Sequence, residues 1–347
     1  MAKRVRISDD DGSSWNTLPG NTGSLANEGN EIDDTIFGQD YKSSLSGLVG
    51  WTVSANSFYK GFAGYEAILK TPGTPITAAG EATTQIGATK TYQISTASKQ
   101  IWDRTVAVVV KDNAVDHTAD VVSIDYLFGK VTFAATYSVT GPVTVDVDYI
   151  PMAQIARGRG FNLTQTMDPI DESDYETVQA NSGHMTFSGG LKTVALEMNG
   201  VYAVSNGFRA ALIARTEVIV EINPDGDGVA TGSLCRGFFR FTQQSQAGAV
   251  GALEEETISM VLSVPDDDLL EYPFAWNFAS ASTLNTAIQI ALTGWQDNTV
   301  VDVQYLPDGT TGVEGDAFVQ DISLAGGLEQ MNEFTVNLQG SGALSTV

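Results

Sequence analysis

Val301-Asp302-Val303-Gln304-Tyr305-Leu306-Pro307 has two earlier counterparts in the same chain. They are Val145-Asp146-Val147-Asp148-Tyr149-Ile150-Pro151 and Val218-Ile219-Val220-Glu221-Ile222-Asn223-Pro224. Each reads as a strand that stops at a proline, because proline brings no N–H to a ladder. In the last two, Pro224-Asp225-Gly226 and Pro307-Asp308-Gly309 add a turn. Both also share a sequel. Arg236 to Thr242 and Asp316 to Ser323 read as the next strand, and Gly248 to Glu254 matches Gly326-Gly327-Leu328-Glu329. Thr257 to Leu262 and Phe334 to Leu338 then read as a third strand. A strand, turn, strand, loop, strand unit is used twice.

A second set of similarities lies upstream. Ile32-Asp33-Asp34-Thr35 resembles Ile170-Asp171-Glu172-Ser173, Gly47-Leu48 resembles Gly190-Leu191, and Gly61-Phe62 resembles Gly207-Phe208. The common order points to a duplication, although residues 71–142 have no clear counterpart. Within that block, Thr105 to Lys111 is a β-branched run of the kind found in buried strands. Lys130 to Ala134 and Val143 to Tyr149 alternate as half-buried strands do. Ala63 to Lys70 reads as one or two helical turns, and 71–90 as a linker. The clearest helix is 283–293, capped by Ser282 or Thr283, with Leu284, Ile288, Ala291, Leu292 and Trp295 on one face and Gly294 at its end.

Composition agrees with a mainly β chain. Of 347 residues 35 are glycine and 42% are hydrophobic, enough for real cores. Charged residues are 17%, against roughly 25% in an average soluble protein. With 42 acidic and 18 basic side chains the net charge is −24, which argues against a protein that grips nucleic acid. A single cysteine, Cys235, excludes an intrachain disulfide and a cysteine zinc cluster. No apolar run is long enough for a helical membrane span. The basic start Met1-Ala2-Lys3-Arg4-Val5-Arg6 leads into Ser8-Asp9-Asp10-Asp11 without an apolar segment, so it does not read as a secretory signal.

The chemical candidates are thin. Asp225-Gly226-Asp227-Gly228 lacks the further ligands of a calcium loop and reads as a turn. Asp168 to Asp174 and Glu254-Glu255-Glu256 read as solvated charge, and Gly129-Lys130 lacks the rest of a phosphate loop. Arg157-Gly158-Arg159-Gly160 is a small basic spot suited to a neighbouring subunit's acids. His117 and His184 have no nucleophile motif nearby and read as surface residues, while Cys235 reads as a buried strand residue. The expectation is no enzyme: no catalytic, cofactor-binding or metal residues, and no cofactor.

Several of these segments resemble the major tail tube proteins of long non-contractile-tailed (siphovirus-type) bacteriophages. The likeness is carried by Ile32-Asp33-Asp34-Thr35 with Gly47-Leu48, and by Ile170-Asp171-Glu172-Ser173 with Ser188-Gly189-Gly190-Leu191-Lys192. It is also carried by Asp321 to Gly326 and Phe334 to Gly342 near the end. The resemblance covers roughly 30–70 and 150–345. It implies a duplicated two-sheet antiparallel β-sandwich, the tail-tube fold, with one or two short flanking helices and an extended N-terminal arm. The divisions it suggests are an arm at 1–31, a first copy at 32–150 that includes the poorly matched block 71–142, a second copy at 151–265, and a helix plus C-terminal β unit at 266–347. It further implies homo-oligomeric rings, with trimers of pseudo-sixfold symmetry favoured over hexamers. The implied partners are a tape-measure protein, tail terminator and distal tail proteins, with genomic DNA passing through unbound and no membrane. The implied location is the virion tail, after synthesis in the host cytoplasm. The rival reading is an acidic β-sandwich adhesin or carbohydrate-binding virion or surface protein, which calls for an exposed aromatic platform.

Overall fold

The computed structural model describes residues 3–20, 22–33, 44–59, 66–201, 213–223, 233–247, 255–264, 273–278, 284–327 and 330–347. Strand β1 (Arg4–Ser8) pairs with β2 (Asn16–Thr17), and β3 (Thr22–Asp33) pairs with β4 (Ser44–Tyr59). After β5 (Glu66–Pro72) comes a block of seven strands. These are β6 (Ile76–Gln85), β7 (Thr91–Ile94), β8 (Val109–Asp112), β9 (Val115–Asp116), β10 (Val121–Asp125), β11 (Lys130–Phe133) and β12 (Val143–Tyr149). The chain returns along β5 as β13 (Met152–Arg157).

Next come strand β14 (Gly160–Met167), the short β15 (Ile170–Asp171), helix α1 (Tyr175–Ala180), β16 (Phe187–Ser188) and β17 (Lys192–Val201). β18 (Val218–Asn223), β19 (Leu234–Ala247) and β20 (Glu255–Leu262) form a meander, with β21 (Phe274–Asn277) beside β19. Helix α2 (Thr286–Asp297) leads into a second meander, β22 (Val301–Leu306), β23 (Val313–Gly327) and β24 (Gln330–Gly340), with β25 (Ser345–Thr346) beside β23. The fold is mainly β, with antiparallel sheets and, bounded within the described residues, the two short helices α1 and α2.

The duplication lies in the ladders. Across one row, Leu163, Leu196, Met260 and Phe241 are consecutive partners on β14, β17, β20 and β19. The matching row on β3, β4, β24 and β23 is Leu25, Val53, Leu338 and Val319. A constant offset in numbering carries Phe239, Gln243 and Ala247 onto Ala317, Asp321 and Ala325, with equivalent partners on β20 and β24. The register slips at the same place in both, between Phe241 and Gln243 and between Val319 and Asp321. The flanks correspond as well, since Leu69–Val220–Gly237 matches Ile7–Val303–Gly315. In sequence the two units are nested. The unit of β5, β13, β14 and β17–β21 sits between β4 and α2, which belong to the other unit.

This correspondence explains residues 71–142. β5 and β13 match β1 and β2, and Gly73 N–H donates to Pro151 O at 2.8 Å across the tip of the hairpin. Where one unit has the short turn Asp9 to Trp15, the other carries the whole seven-stranded block. That block has its own core, including Trp102, Val110, Leu127, Phe128, Val131, Phe133 and Val145. Ile219, Phe238 and Ala275 of the main sheet join this core, so the block is seated on the sheet.

Several expectations need correction. Residues 63–65 lie outside the described residues, and Glu66 to Lys70 belong to strand β5, not to helical turns. Ala67 and Leu69 are buried alternately, and the segment is held between β18 and β13. The linker expected at 71–90 contains β6, which the sheet recruits through its backbone; only Ala78 in it is buried, so no periodicity marks it. The strand expected at Thr105–Lys111 begins at Val109, because Asp103 Oδ1 accepts from the Thr105 N–H at 2.9 Å and its hydroxyl at 2.7 Å and holds a turn. Ser282 and Thr283 lie outside the described residues. The helix runs later than expected, with Asn285 capping Ala287 N–H at 2.8 Å and Asn298 in the left-handed region at φ 59° as its C-cap. Gly294 does not end it; an added Cβ there would lie 2.9 Å from Val301 Cγ1, so this glycine permits close helix–strand packing. Residues 4–20 also do more than reach outward, since Val5, Ile7 and Leu18 enter the main core.

Gly340 shows how tight that core is. A Cβ on it would sit 2.1 Å from Trp51 Cδ2, and the indole is fixed by its Nε1–H donating to Gly342 O at 2.9 Å. Gly340→Ala is therefore expected to cost about 1–3 kcal/mol by overpacking. Thermal unfolding checks this, with Gly29→Ala as the control, whose nearest atom is 3.9 Å away. Equal Tm values for the two variants would contradict the packing argument.

Candidate assembly surface

The two units are joined edge to edge inside one chain. β23 accepts β22 along Val313–Ala317 and β14 along Asp321–Gly327, both on the side opposite β24. β14 thereby sits between its own hairpin partner β17 and the other unit's β23, antiparallel to each. The main sheet, of 16 strands, is continuous through this joint.

Its two faces differ. One is apolar and faces α2 and the core, with Phe161, Leu163, Leu196, Met260, Leu324 and Leu338 among its buried residues. Strand alternation puts the other positions on the opposite face. There Thr164, Thr166, Thr193, Ser259, Ser323, Thr335, Asn337 and Ser54 give a hydroxyl and amide surface. Its charged side chains on these strands, among the described residues, are Glu28, Glu197, Asp321 and Glu333 against Arg240.

Beyond this stretch the same sheet face differs between the units. In one, Ile219 and Phe238 are opposed and buried under the seven-stranded block. A buried charge network secures the block there. Arg236 Nε–H donates to Glu221 Oε1 at 2.8 Å and its Nη1 to Leu127 O at 2.9 Å, while Lys70 also pairs with Glu221. Arg104 pairs with Glu217 and lies 4.1 Å over the Phe238 ring. Burial pushes the Asp125 carboxyl up and the Lys130 ammonium down, and Lys130 Nζ donates to Asn277 Oδ1 at 2.8 Å. In the other unit the matching positions are Asp302 and Asp316, directly opposed and lining an open cleft with Asp11, Trp15 and Glu314. Burial, then the Asp316 carboxyl and the charge of Asp11, hold Asp302 above the ordinary carboxylate range, although Gly12 N–H donates to it at 2.9 Å.

The sequence candidates are dispersed. Asp174 caps α1 at Thr177 N–H, at 2.7 Å, and its pKa is lowered by that bond. Asp171 is lowered by hydrogen bonds from Ser173. Glu254, Asp225–Gly228 and Pro224 lie outside the described residues. Gly129 has φ 61° and makes the turn into β11. His117 and His184 are half-buried, each held by a local contact: His117 Nδ1 to Asp120 at 3.0 Å and His184 Nδ1 to Asn181 O at 2.9 Å. Cys235 is buried, and burial pushes its thiol well up. Trp51, Trp102, Trp276 and Trp295 are buried and Trp15 is half-buried in the acidic cleft. Among the described residues no group of three or more His, Cys, Asp and Glu side chains is placed to hold a metal ion, and no helix is long and apolar enough to cross a membrane.

No protein-family model matches the chain, and no curated protein matches it. Among solved structures, it is distantly similar to a chain from the tail of an empty gene transfer agent particle with C6 symmetry, at 14% identity and a TM-score of 0.28, covering 38% of this chain and 87% of that one. It is similarly related to a chain of the native gene transfer agent virion, at 14% identity and a TM-score of 0.28, covering 36% of this chain and 88% of that one.

The raised Asp302 carboxyl gives the fold a pH dependence. A carboxyl whose folded pKa is raised stabilises the fold while protonated, and that contribution is lost as pH rises through the raised value. Asp316→Asn removes the opposing charge, so its Tm should exceed the parent's at pH 7 and converge with it below the unfolded carboxylate pKa of about 3.9. A Tm at pH 7 no higher than the parent's would mean that the pair does not repel.

Proposed function

We propose that this chain is a structural virion protein, the major subunit of a phage-type tail tube, built to polymerise into stacked rings. The observation that carries the reading is the joint between β14 and β23: one chain holds two corresponding units already fused into a continuous sheet. A repeated unit that joins its copy edge to edge can go on joining further copies, and a closed ring leaves no sheet edge exposed. Three chains, six units, is the stoichiometry favoured by the fusion of two units in each.

In such a ring the hydroxyl- and amide-rich face lines the channel and the apolar face packs against the helices. The channel face carries four carboxylates and one arginine among the described side chains named above, so it repels the phosphate backbone without gripping it. DNA would pass and a tape-measure protein would set the length, with terminator and distal tail proteins closing the ends. The nested units and the inserted block are proposed as one tube-forming body, residues 3–59 with 284–347 and residues 66–278, on whose sheet the block within residues 73–151 is seated.

The adhesin reading finds less support. It needs an aromatic platform, and four of the five tryptophans are buried. Sedimentation and negative-stain microscopy of the purified protein at rising concentration distinguish the two. Rings or tubes of uniform width are expected, and a persistent monomer across the range would overturn the tube reading.

A further inference from the structure

The internal joint also specifies which strands meet between chains. The side of β19 opposite β20 is paired with β18 along Cys235–Phe239, and beyond that no strand of the described residues covers Gln243–Ala247. Its counterpart on β23, Asp321–Ala325, is covered by β14. The counterpart of β14 is β3, which pairs only with β4 among the described strands. One unit's hairpin strand is thus docked in the other unit's groove, while among the described residues no strand covers the second strand or the second groove.

We infer that β3 of one copy pairs antiparallel with β19 of a second copy of this chain, in the register of the β14–β23 joint. The inference rests on the assembly reading above and names its contact. Carrying Thr166↔Asp321, Thr164↔Ser323 and Asn162↔Ala325 over to the open edges gives Glu28 opposite Gln243, Ala26 opposite Ser245 and Ser24 opposite Ala247. Three observations carry it beyond two open edges. The register slip at Phe241/Gln243 occurs at the matching place in β23, so β19 is already shaped like the strand that accepts β14. Ala26, Asn27 and Glu28 are exposed, as are Gln243 and Ser245. The pairing opposes no like charges, since Glu28 meets a glutamine. In this contact β3 is the donor edge and β19 the acceptor edge of every chain, so it is head-to-tail and closes into a ring or runs on as a filament.

Cysteine cross-linking tests the register. Opposed antiparallel residues have Cα atoms about 4.5–5.5 Å apart, within disulfide reach, whereas a diagonal neighbour lies at about 7–8 Å. Ala26→Cys with Ser245→Cys, in a Cys235→Ala background, is expected to give covalent oligomers under mild oxidation, ending in a closed species on a non-reducing gel. Ala26→Cys with Gln243→Cys should link at least tenfold less, and each single variant should give no ladder. Circular dichroism of each variant verifies that the fold is kept. Assembly by sedimentation with no preference between the two pairs would overturn this contact while leaving the tube reading standing. Absence of any assembly in the parent would overturn both. As a second route, Gln246→Pro removes a backbone donor from the open edge, since Ser263 N–H donates to Phe238 O and alternation past the slip turns the N–H of residue 246 away from β20; it should abolish assembly of a chain whose monomer spectrum is unchanged. Normal rings from that variant would also contradict the contact.

Discussion

Backbone N–H and C=O groups on the edge of a sheet must find partners, and the whole organisation of this chain depends on where they find them. Twisted open sheets rarely grow far without curling or closing. Here a sheet of 16 strands is reached because β14 satisfies the long β23 where β22 ends. That places two hydrophobic faces side by side as one core, extending from Val5 and Ile7 to Phe274 and Trp276. Remove the joint and each half keeps its own ladder, but β23 loses its neighbour along Asp321–Gly327 and β14 keeps only β17.

The two units have diverged in ways that packing explains. Both keep a glycine at the same ladder position, Gly237 and Gly315, and both press an aromatic ring on it: Phe239 and Phe274 in one unit, Trp51 in the other. They differ on the sheet's far face. Ile219 and Phe238 demand cover, and the inserted block supplies it with its own apolar core. Asp302 and Asp316 need none and face an open cleft. Glu221 and Arg236 could not be buried at the block's base unless each satisfied the other, and Lys70, Gln100 and the Leu127 carbonyl complete that pairing. Exchanging the faces would leave apolar residues wet in one unit and carboxylates buried in the other.

The two meanders are legible in the sequence because their signal is local. A β-branched run, a proline stop and a repeated loop fix Val218 to Leu262 and Val301 to Leu338 without reference to anything distant. The hairpin similarities, Ile32 with Ile170 and Gly47 with Gly190, are legible too, and the ladder offsets of β3/β14 and β4/β17 are the same ones. The nesting is hidden. Pairing β4 with β24 spans nearly the whole chain, and no local pattern records it. β6 is unreadable for another reason: only Ala78 in this exposed strand is buried, so it carries no alternation. The α2 boundary is misleading in the sequence because Gly294 looks like a stop, whereas its missing Cβ serves contact with Val301. The open edges of β3 and β19 have a usable signal after all, since aligning the repeats strand by strand leaves one donor and one acceptor over.

In the proposed tube, low charge and strong acidity acquire a structural meaning. A channel surface that slides past a polyanion needs hydration without fixed attraction, and hydroxyls and amides with a few carboxylates provide that. Many cations of this chain are engaged elsewhere: Arg236, Lys70 and Arg104 at the base of the inserted block, Lys130 beside Asn277, Lys99 on Glu81 and Lys111 on Asp146. Each of these is held by an acceptor that fixes the fold. The acidity is thus an asymmetry of placement as well as of number: among the described residues these six cations hold the block and the sheet together, while Glu28, Glu197 and Glu333 are exposed on the polar face. In the proposed ring that asymmetry repeats around the channel, so repulsion of phosphate is distributed evenly and no single site can arrest a passing strand.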